Sequence, residues 1–268
     1  MQTGAYIAER LLPQIVAAYC ERTGLSCQVF SDEWVLRLAR GETIRWVVGD
    51  NFDLNTAAAS KVAQDKVATY AALSAASIAA APHYLVRSLL QEPIHIRELH
   101  KELGGVSVVA KPLRGMAGRG VNRFHTVDDA LAMIRGSGEP AWALSPHYNL
   151  QSEYRLIMLD GELLLAYEKT NATDRAGLKL FNLSLGAVPM EIQNEGLLNE
   201  LTGIARQVMH ALALRLAAVD IVRMPDRLLK VLEVNDGITM EHYARYSAAN
   251  RQRTIEIYET IVATTFAS

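Results

Sequence analysis

Two cysteines, Cys20 and Cys27, are too few for a disulfide scaffold, and their spacing matches no zinc pattern. Both read as small core residues. The seven histidines include no His-x-x-x-His pair, so none is assigned to a metal. No basic run of five occurs and the formal net charge is −2, which removes the electrostatic footprint of a nucleic-acid binder. The longest apolar stretches, 71–82 and 208–219, fall well short of the roughly 20 residues a membrane span needs, and the second carries His210 and Arg215. The opening MQTGAYIAER lacks the basic start, apolar block and cleavage site of a secretory signal, so a cytoplasmic location is expected. There is no internal repeat and no low-complexity linker.

The 268 residues are 50% hydrophobic and 21% charged, enough to build one large domain or two compact ones and to exclude disorder of the whole chain. Apolar spacing over residues 5–22 predicts a helix, with Pro13 marking a kink or a start. Short strand-like runs follow at 27–30, 34–38 and 44–48 and read as a small meander. A long helix is expected over Ala57 to Ser77, an extended connection to Val86, and a short helix from His95 to Leu103. Strands are expected at Val106 to Lys111 and Val121 to Phe124, flanking a glycine-rich loop, and then a helix capped by Thr126. Asp160-Gly161 marks a hairpin, Asn194 to Arg215 a helix, 217–223 and 228–235 a second hairpin, and a last helix closes the chain. Antiparallel hairpins alternating with helices give an α+β class.

Chemistry concentrates in four places. A two-residue turn at Asp226-Arg227 would set Asp220 opposite Glu233, about 5 Å away across the ladder, with Asn235 on the same face. Their neighbours are apolar on both faces, so two facing carboxylates there need compensation. Three oxygen donors without sulfur or imidazole suit a hard ion such as Mg²⁺. Alternatively, one acid reaches solvent and the other pairs with Arg223 or Lys230. The run SVVAKPLRGMAGRGV carries Lys111 to a strand end and into a loop with Gly115, Gly118, Gly120, Arg114 and Arg119. Such a loop either turns backbone N–H groups toward a phosphate or is a flexible surface turn. Lys66 falls on the stripe of Val62, Thr69, Tyr70 and Leu73, where a lysine either extends to solvent or meets an anion. Around the Asp160-Gly161 hairpin, simple counting sets Glu153 opposite Glu168 with Arg155 on Glu153's face; an exposed salt-bridge cluster is the plainer reading.

The order of these pieces resembles the ATP-grasp carboxylate–amine ligases, closest to the cyanophycin synthetase and ribosomal-protein glutamate ligase branches. The likeness runs over 55–246, on AAASKVAQDKVATY, VVAKPLRGMAGRGV, SEYRLIMLDGELLLAYEK, FNLSLGA and AAVDIVRMPDRLLKVLEVNDG. It implies two α+β lobes around a nucleotide: a reduced N-terminal region over 1–55, a lid lobe over about 83–142 and a C-terminal lobe over about 143–268. It implies that Lys66 and Lys111 contact phosphates under a flap containing Gly115, Gly118, Arg119 and Gly120. Adenine would lie along Ala143 to His147, that is Leu144, Ser145, Pro146 and His147, and Glu153 would hold ribose. Asp220, Glu233 and Asn235 would carry one or two Mg²⁺ ions, with Mn²⁺ as a substitute, and Arg155, Lys111 and Asn182 would face the acyl phosphate or substrate. Only about 55 residues precede the lysine helix, where a full domain of the acceptor site is usual in the family. Asp236-Gly237-Ile238 stands where a Ser-x-Gly segment is frequent.

The implied reaction joins a small-molecule carboxylate to an amine through an acyl phosphate, with ATP consumed, no nucleic acid or membrane partner, and a homodimer as the favoured assembly. Two other readings remain: a non-catalytic ATP-binding sensor or partner subunit, and a phosphotransferase that stops at phosphate transfer. Arg175 and Lys179, in TNATDRAGLK, are candidates for a substrate carboxylate or are simply solvated.

Overall fold

The computed structural model describes residues 10–89, 93–115 and 118–267; the first part of the expected N-terminal helix, 5–9, lies outside them. In chain order the elements begin with α1 (Leu11–Thr23), β1 (Ser26–Phe30), β2 (Val35–Arg40), β3 (Thr43–Val48) and β4 (Asn51–Phe52). Next come α2 (Ala57–Ala63), α3 (Lys66–Ala75), β5 (Tyr84–Arg87), α4 (Pro93–Leu103), β6 (Val108–Pro112), β7 (Asn122–Phe124) and α5 (Val127–Arg135). After these lie β8 (Ala141–Pro146), β9 (Ser152–Leu159), β10 (Glu162–Thr170), β11 (Thr173–Arg175), β12 (Leu178–Leu180) and β13 (Val188–Met190). The chain ends with α6 (Glu195–Ala211), β14 (Leu216–Arg223), β15 (Leu229–Asn235), α7 (Glu241–Ala244) and α8 (Ala248–Thr265). Helices and mainly antiparallel sheets confirm the α+β class.

Two compact units result: residues up to Thr56 together with those from Gly237, and residues 57–236. In the first, β1-β2-β3-β4 form the expected meander, and Leu36, Leu38 and Val47 are buried. Helix α1 has no capping side chain of its own, because Arg10 precedes it. Glu241, from the far end of the chain, accepts from the backbone N–H of Leu11 and Leu12 at 2.9 and 3.2 Å. Pro13 sits in the first turn, where a missing N–H costs nothing.

The second unit is built on two larger sheets. One has the order β5-β8-β6-β7, and α4 and α5 cover one of its faces through Val86, Val108, Ala110, Leu131, Ile134, Trp142 and Leu144. The other has the order β13-β10-β9-β14-β15. Its inner face, with Tyr154, Leu156, Met158, Val219 and Ile221, packs on Leu73 of α3 and on Leu201, Ala205 and Val208 of α6. Side chains alternate across a strand, so residues 153, 155, 167, 169, 220, 233 and 235 occupy the opposite face.

Three local features differ from expectation. The single helix over Ala57 to Ser77 is two, because Asp65 takes an extended conformation and its carboxylate accepts from Val67 and Ala68 N–H, restarting the helix as α3. The hairpin of β14 and β15 turns through three residues, with Arg227 at φ 70° and its N–H bonded to Met224 O at 2.9 Å, where a two-residue turn was expected. A bulge at Leu232 then cancels that offset, so Asp220 faces Glu233 as counted. The Asp160-Gly161 turn has both residues at positive φ, as its type requires, but β9 and β10 shift register at Leu164.

Candidate active site

The shift at Leu164 corrects one pairing: Glu153 lies opposite Lys169, and Glu168 lies opposite Tyr154. The consequence is electrostatic. A second carboxylate would have repelled Glu153; the bulge supplies an ammonium instead. Lys169 is 4% exposed, and its Nζ donates to Glu153 Oε1 at 2.5 Å and to Asp220 Oδ1 at 2.9 Å. Burial, and Arg155 next, push its pKa down, but Asp220, Glu153 and Tyr167 outweigh them and hold it above its ordinary value.

Backbone pairing places Tyr167, Arg155, Asp220 and Glu233 in one row across β10, β9, β14 and β15. Arg155 grips Asp220 with two bonds, Nε to Oδ1 at 2.8 Å and Nη2 to Oδ2 at 2.6 Å. Asp220 is 3% exposed; burial alone would raise its pKa, yet Arg155 and Lys169 bring it down to about 2. The cluster is therefore buried, not an exposed salt-bridge group, and Asp220 takes its cations from Arg155 and Lys169. Lys230, one expected partner, lies 5.5 Å over the Tyr148 ring.

Lys66 is the first residue of α3 and 9% exposed, so it does not extend into solvent. Its Nζ donates to Gly115 O at 2.8 Å and lies 3.4 Å from Glu233 Oε1, linking the helix to the glycine loop and to the carboxylate row. Lys111 stands on β6 opposite Ala143. Among the described residues its ammonium has no hydrogen-bond or ion-pair partner. Burial lowers its pKa, Lys66 lowers it further, and Glu233 and Glu153 offset this only in part.

In the loop, residues 116–117 lie outside the described ones. Gly118 is at φ +67°, and a Cβ there would lie 3.3 Å from Asn182 Oδ1, so Asn182 sits against the loop; its side chain makes no capping bond. Gly120, at φ +69°, packs on Pro112, where a Cβ would approach Cγ to 2.9 Å. Arg114 and Arg119 are exposed, and Gly115 is half-buried. Leu178 and Leu180 of β12 pack on Val109 and Val121 beneath.

Along β8 the residues expected to hold adenine divide by face. Leu144 is in the core with α4 and α5, and Pro146 pairs with Val108 on that side, so neither side chain faces Lys111. Ala143 and Ser145 share Lys111's face. His147 is half-buried, and its N–H donates to Ser107 O at 2.7 Å. Arg175 and Lys179 are exposed.

Two polar residues went unnoticed in the sequence. Lys169 was hidden by the bulge, whose sole signal is three consecutive leucines, 163–165, breaking the strand alternation. His83 is 3% exposed; its Nδ1 lies 2.9 Å from Ala81 O, while its Nε2 is buried without a partner among the described residues. It lines a cavity of about 10 Å³, room for about one water, together with Lys66, Thr69, Tyr70 and Glu233. Burial, then Lys111, drive its pKa well below 6.5, so the ring is neutral. Nothing in its sequence context marks it.

As a cation site, Asp220, Glu233 and Asn235 form a hard-oxygen set on adjacent strands, with Asn235 Nδ2 3.4 Å from Asp220 Oδ2. Among the described residues no group of three or more His, Cys, Asp or Glu gathers to hold a metal, here or elsewhere; this set joins two carboxylates to an amide. The donor types suit a divalent ion, but each is engaged in the free chain: Glu233 with Lys66, Asn235 with Asp220, and Asp220 with Arg155 and Lys169, so an ion would share these oxygens with the cations.

The RimK-like ATP-grasp domain model matches residues 63–261. The chain belongs to the RimK-like ATP-grasp family. It is thereby an ATP-grasp enzyme of the ligase class. Solved structures agree on the fold. A D-alanine–D-alanine ligase from Bacillus anthracis aligns with TM-score 0.61 at 18% identity, over 80% of this chain and 70% of that one. D-cycloserine synthetase DcsG aligns with TM-score 0.58 at 19% identity, over 75% and 71%. The ATP-grasp ligase PsnB, complexed with a minimal precursor, aligns with TM-score 0.54 at 16% identity, over 77% of this chain and 64% of PsnB. No curated sequence matches at a significant level. No helix of the described residues is long and apolar enough to cross a membrane.

Proposed function

We propose that this ATP-grasp protein is a carboxylate–amine ligase working through an acyl phosphate. The observation that carries the reading is the pair Lys66 and Lys111 beside the glycine loop. One ammonium has no hydrogen-bond or ion-pair partner among the described residues, and its neighbour is a second cation, so an anion of high charge completes the site. Four cations, Lys66, Lys111, Arg155 and Lys169, face three carboxylates, Glu153, Asp220 and Glu233, which suits a polyanionic ligand.

In this reading Lys66, Lys111 and the N–H groups around Gly115, Gly118, Arg119 and Gly120 bind the triphosphate. Ser145, with the backbone of Leu144, Pro146 and His147, lies along adenine, and Glu153 accepts from ribose. Asp220, Glu233 and Asn235 would hold Mg²⁺, which supplies charge neutralisation on the phosphates. A substrate carboxylate oxygen attacks the γ-phosphorus as the bond to the β-phosphate oxygen breaks and ADP leaves. The amine nitrogen then attacks the acyl carbon, loses a proton, and phosphate departs with its bonding pair. Arg155, held by Asp220, would stabilise the transferred phosphoryl group, and Asn182, beside Gly118 of the loop, would face the acyl phosphate or substrate. Positioning and charge account for the catalysis; no covalent enzyme nucleophile is required.

Mg-ATP, a panel of amino acids and other carboxylates, and hydroxylamine provide the test. ADP and a hydroxamate are expected together. Absence of both across the panel sinks the proposal, and ADP without hydroxamate or amide replaces it with a phosphotransferase. Cytoplasmic, small-molecule amino-acid or peptide substrates are part of the same proposal, as is a homodimer, to be read by light scattering.

A further inference from the structure

We infer that Lys169 is a positioning residue for the nucleotide: it fixes Glu153 so that one carboxylate oxygen is presented to the ribose hydroxyls, and ties that acid to Asp220. The inference rests on the reading of Glu153 as the ribose acceptor. Three observations support it. Lys169 Nζ occupies Glu153 Oε1 and Asp220 Oδ1 simultaneously, at 2.5 and 2.9 Å, so one ammonium bridges two carboxylates that stand on different strands. Glu153 Oε2 accepts no hydrogen bond among the described residues, and the residue keeps 9% of its surface exposed. The bulge at Leu164 is what brings Lys169 opposite Glu153; without it Glu168 would stand there.

A purely structural role is the weaker explanation. Buried ion pairs contribute little net stability relative to well-packed apolar residues, because desolvation consumes the attraction. A buried lysine bonded to acids on two strands has a more specific consequence: it holds the Glu153 carboxylate at one oxygen and leaves the other open. A carboxylate whose Oε1 is held by Lys169 has a fixed plane and a second oxygen, Oε2, able to accept from a ribose hydroxyl. Lys169 itself touches no ligand in this scheme.

The test compares binding of ATP with that of 2′,3′-dideoxy-ATP by calorimetry, both with Mg²⁺, in the wild type, Glu153→Gln, Lys169→Met and Lys169→Arg. A charged acceptor bonded to a hydroxyl is worth roughly 10- to 150-fold in affinity. The wild type is expected to prefer ATP by at least about tenfold. Lys169→Met should reduce the preference to within about twofold, and Lys169→Arg should restore most of it. Because the readout is a ratio within one protein, loss of active fraction cancels; if Lys169→Met does not fold, Lys169→Gln gives the same comparison. A wild type without preference overturns the ribose reading of Glu153 and this inference with it. A wild-type preference that Glu153→Gln abolishes and Lys169→Met preserves overturns the positioning role alone.

Discussion

Replacing Lys111 by Met separates function from stability, because the two should move in opposite directions. Among the described residues the Lys111 ammonium has no hydrogen-bond or ion-pair partner, and burial and Lys66 both disfavour its charged form. A group whose folded pKa lies below its unfolded value costs stability wherever it stays protonated, which includes neutral pH. Methionine keeps most of the aliphatic stem and removes the charge, so the melting temperature of the free protein should equal or exceed the wild type. With nucleotide the sign reverses. Losing one charge-assisted phosphate contact costs about 1.5–3 kcal/mol, or roughly 100-fold in Kd toward the upper end of that range. At an ATP concentration of about 1,000 times the wild-type Kd, ligand stabilisation is about 4 kcal/mol; a 100-fold weaker variant keeps about 1.4. At about 2–4 °C per kcal/mol for a chain of this size, the Mg-ATP shift falls from about 8–16 °C to about 3–6 °C. Scanning calorimetry with and without Mg-ATP reads both quantities. A free variant that melts several degrees lower while retaining the full shift would refute the reasoning.

Three other perturbations follow from the same geometry. Asp220 has a folded pKa of about 2 against 3.8 ordinarily, so its contribution, about 2 kcal/mol, is complete above about pH 4 and lost as pH falls through about 2. Asp220→Asn should flatten that part of the acid-denaturation curve, and an unchanged curve would place the depression elsewhere. His83 stays neutral when folded but protonates at about 6.5 when unfolded. Stability should therefore fall by about 1.4 kcal/mol per pH unit below 6.5, a slope that His83→Gln removes; an identical slope in the variant contradicts the buried-neutral assignment. Gly118→Ala forces a side chain into a left-handed conformation 3.3 Å from Asn182 Oδ1, which costs about 1–2 kcal/mol, and kcat/KM for ATP should fall more than stability does.

Much of the site was legible because strand pairing can be counted. Asp220 opposite Glu233, with Asn235 beside them, came out right, although through two departures that cancel: a turn one residue longer than expected and a bulge at Leu232. The β9–β10 hairpin had no second departure to restore it. Its single shift at Leu164 exchanged Glu168 for Lys169, turning an expected repulsion between acids into a buried ion pair. The long helix failed at Asp65 because capping by a carboxylate competes with helix continuation, and helical apolar spacing does not register that competition. The result places Lys66 at a helix start rather than in its middle. Strand β8 is not marked in the sequence since AWALSP lacks a clear polar–apolar alternation, and neither is His83, because an imidazole is identified by what surrounds it.

Transfer of oxygen between substrates tests the central chemistry most directly. The enzyme is incubated with Mg-ATP and a pool of amino acids and small peptides whose carboxylates carry ¹⁸O, and the released phosphate is weighed by mass spectrometry. One heavy oxygen per phosphate, appearing in step with ADP and an amide product, is the expected result. Turnover that yields ADP and amide with wholly unlabelled phosphate would contradict activation through an acyl phosphate.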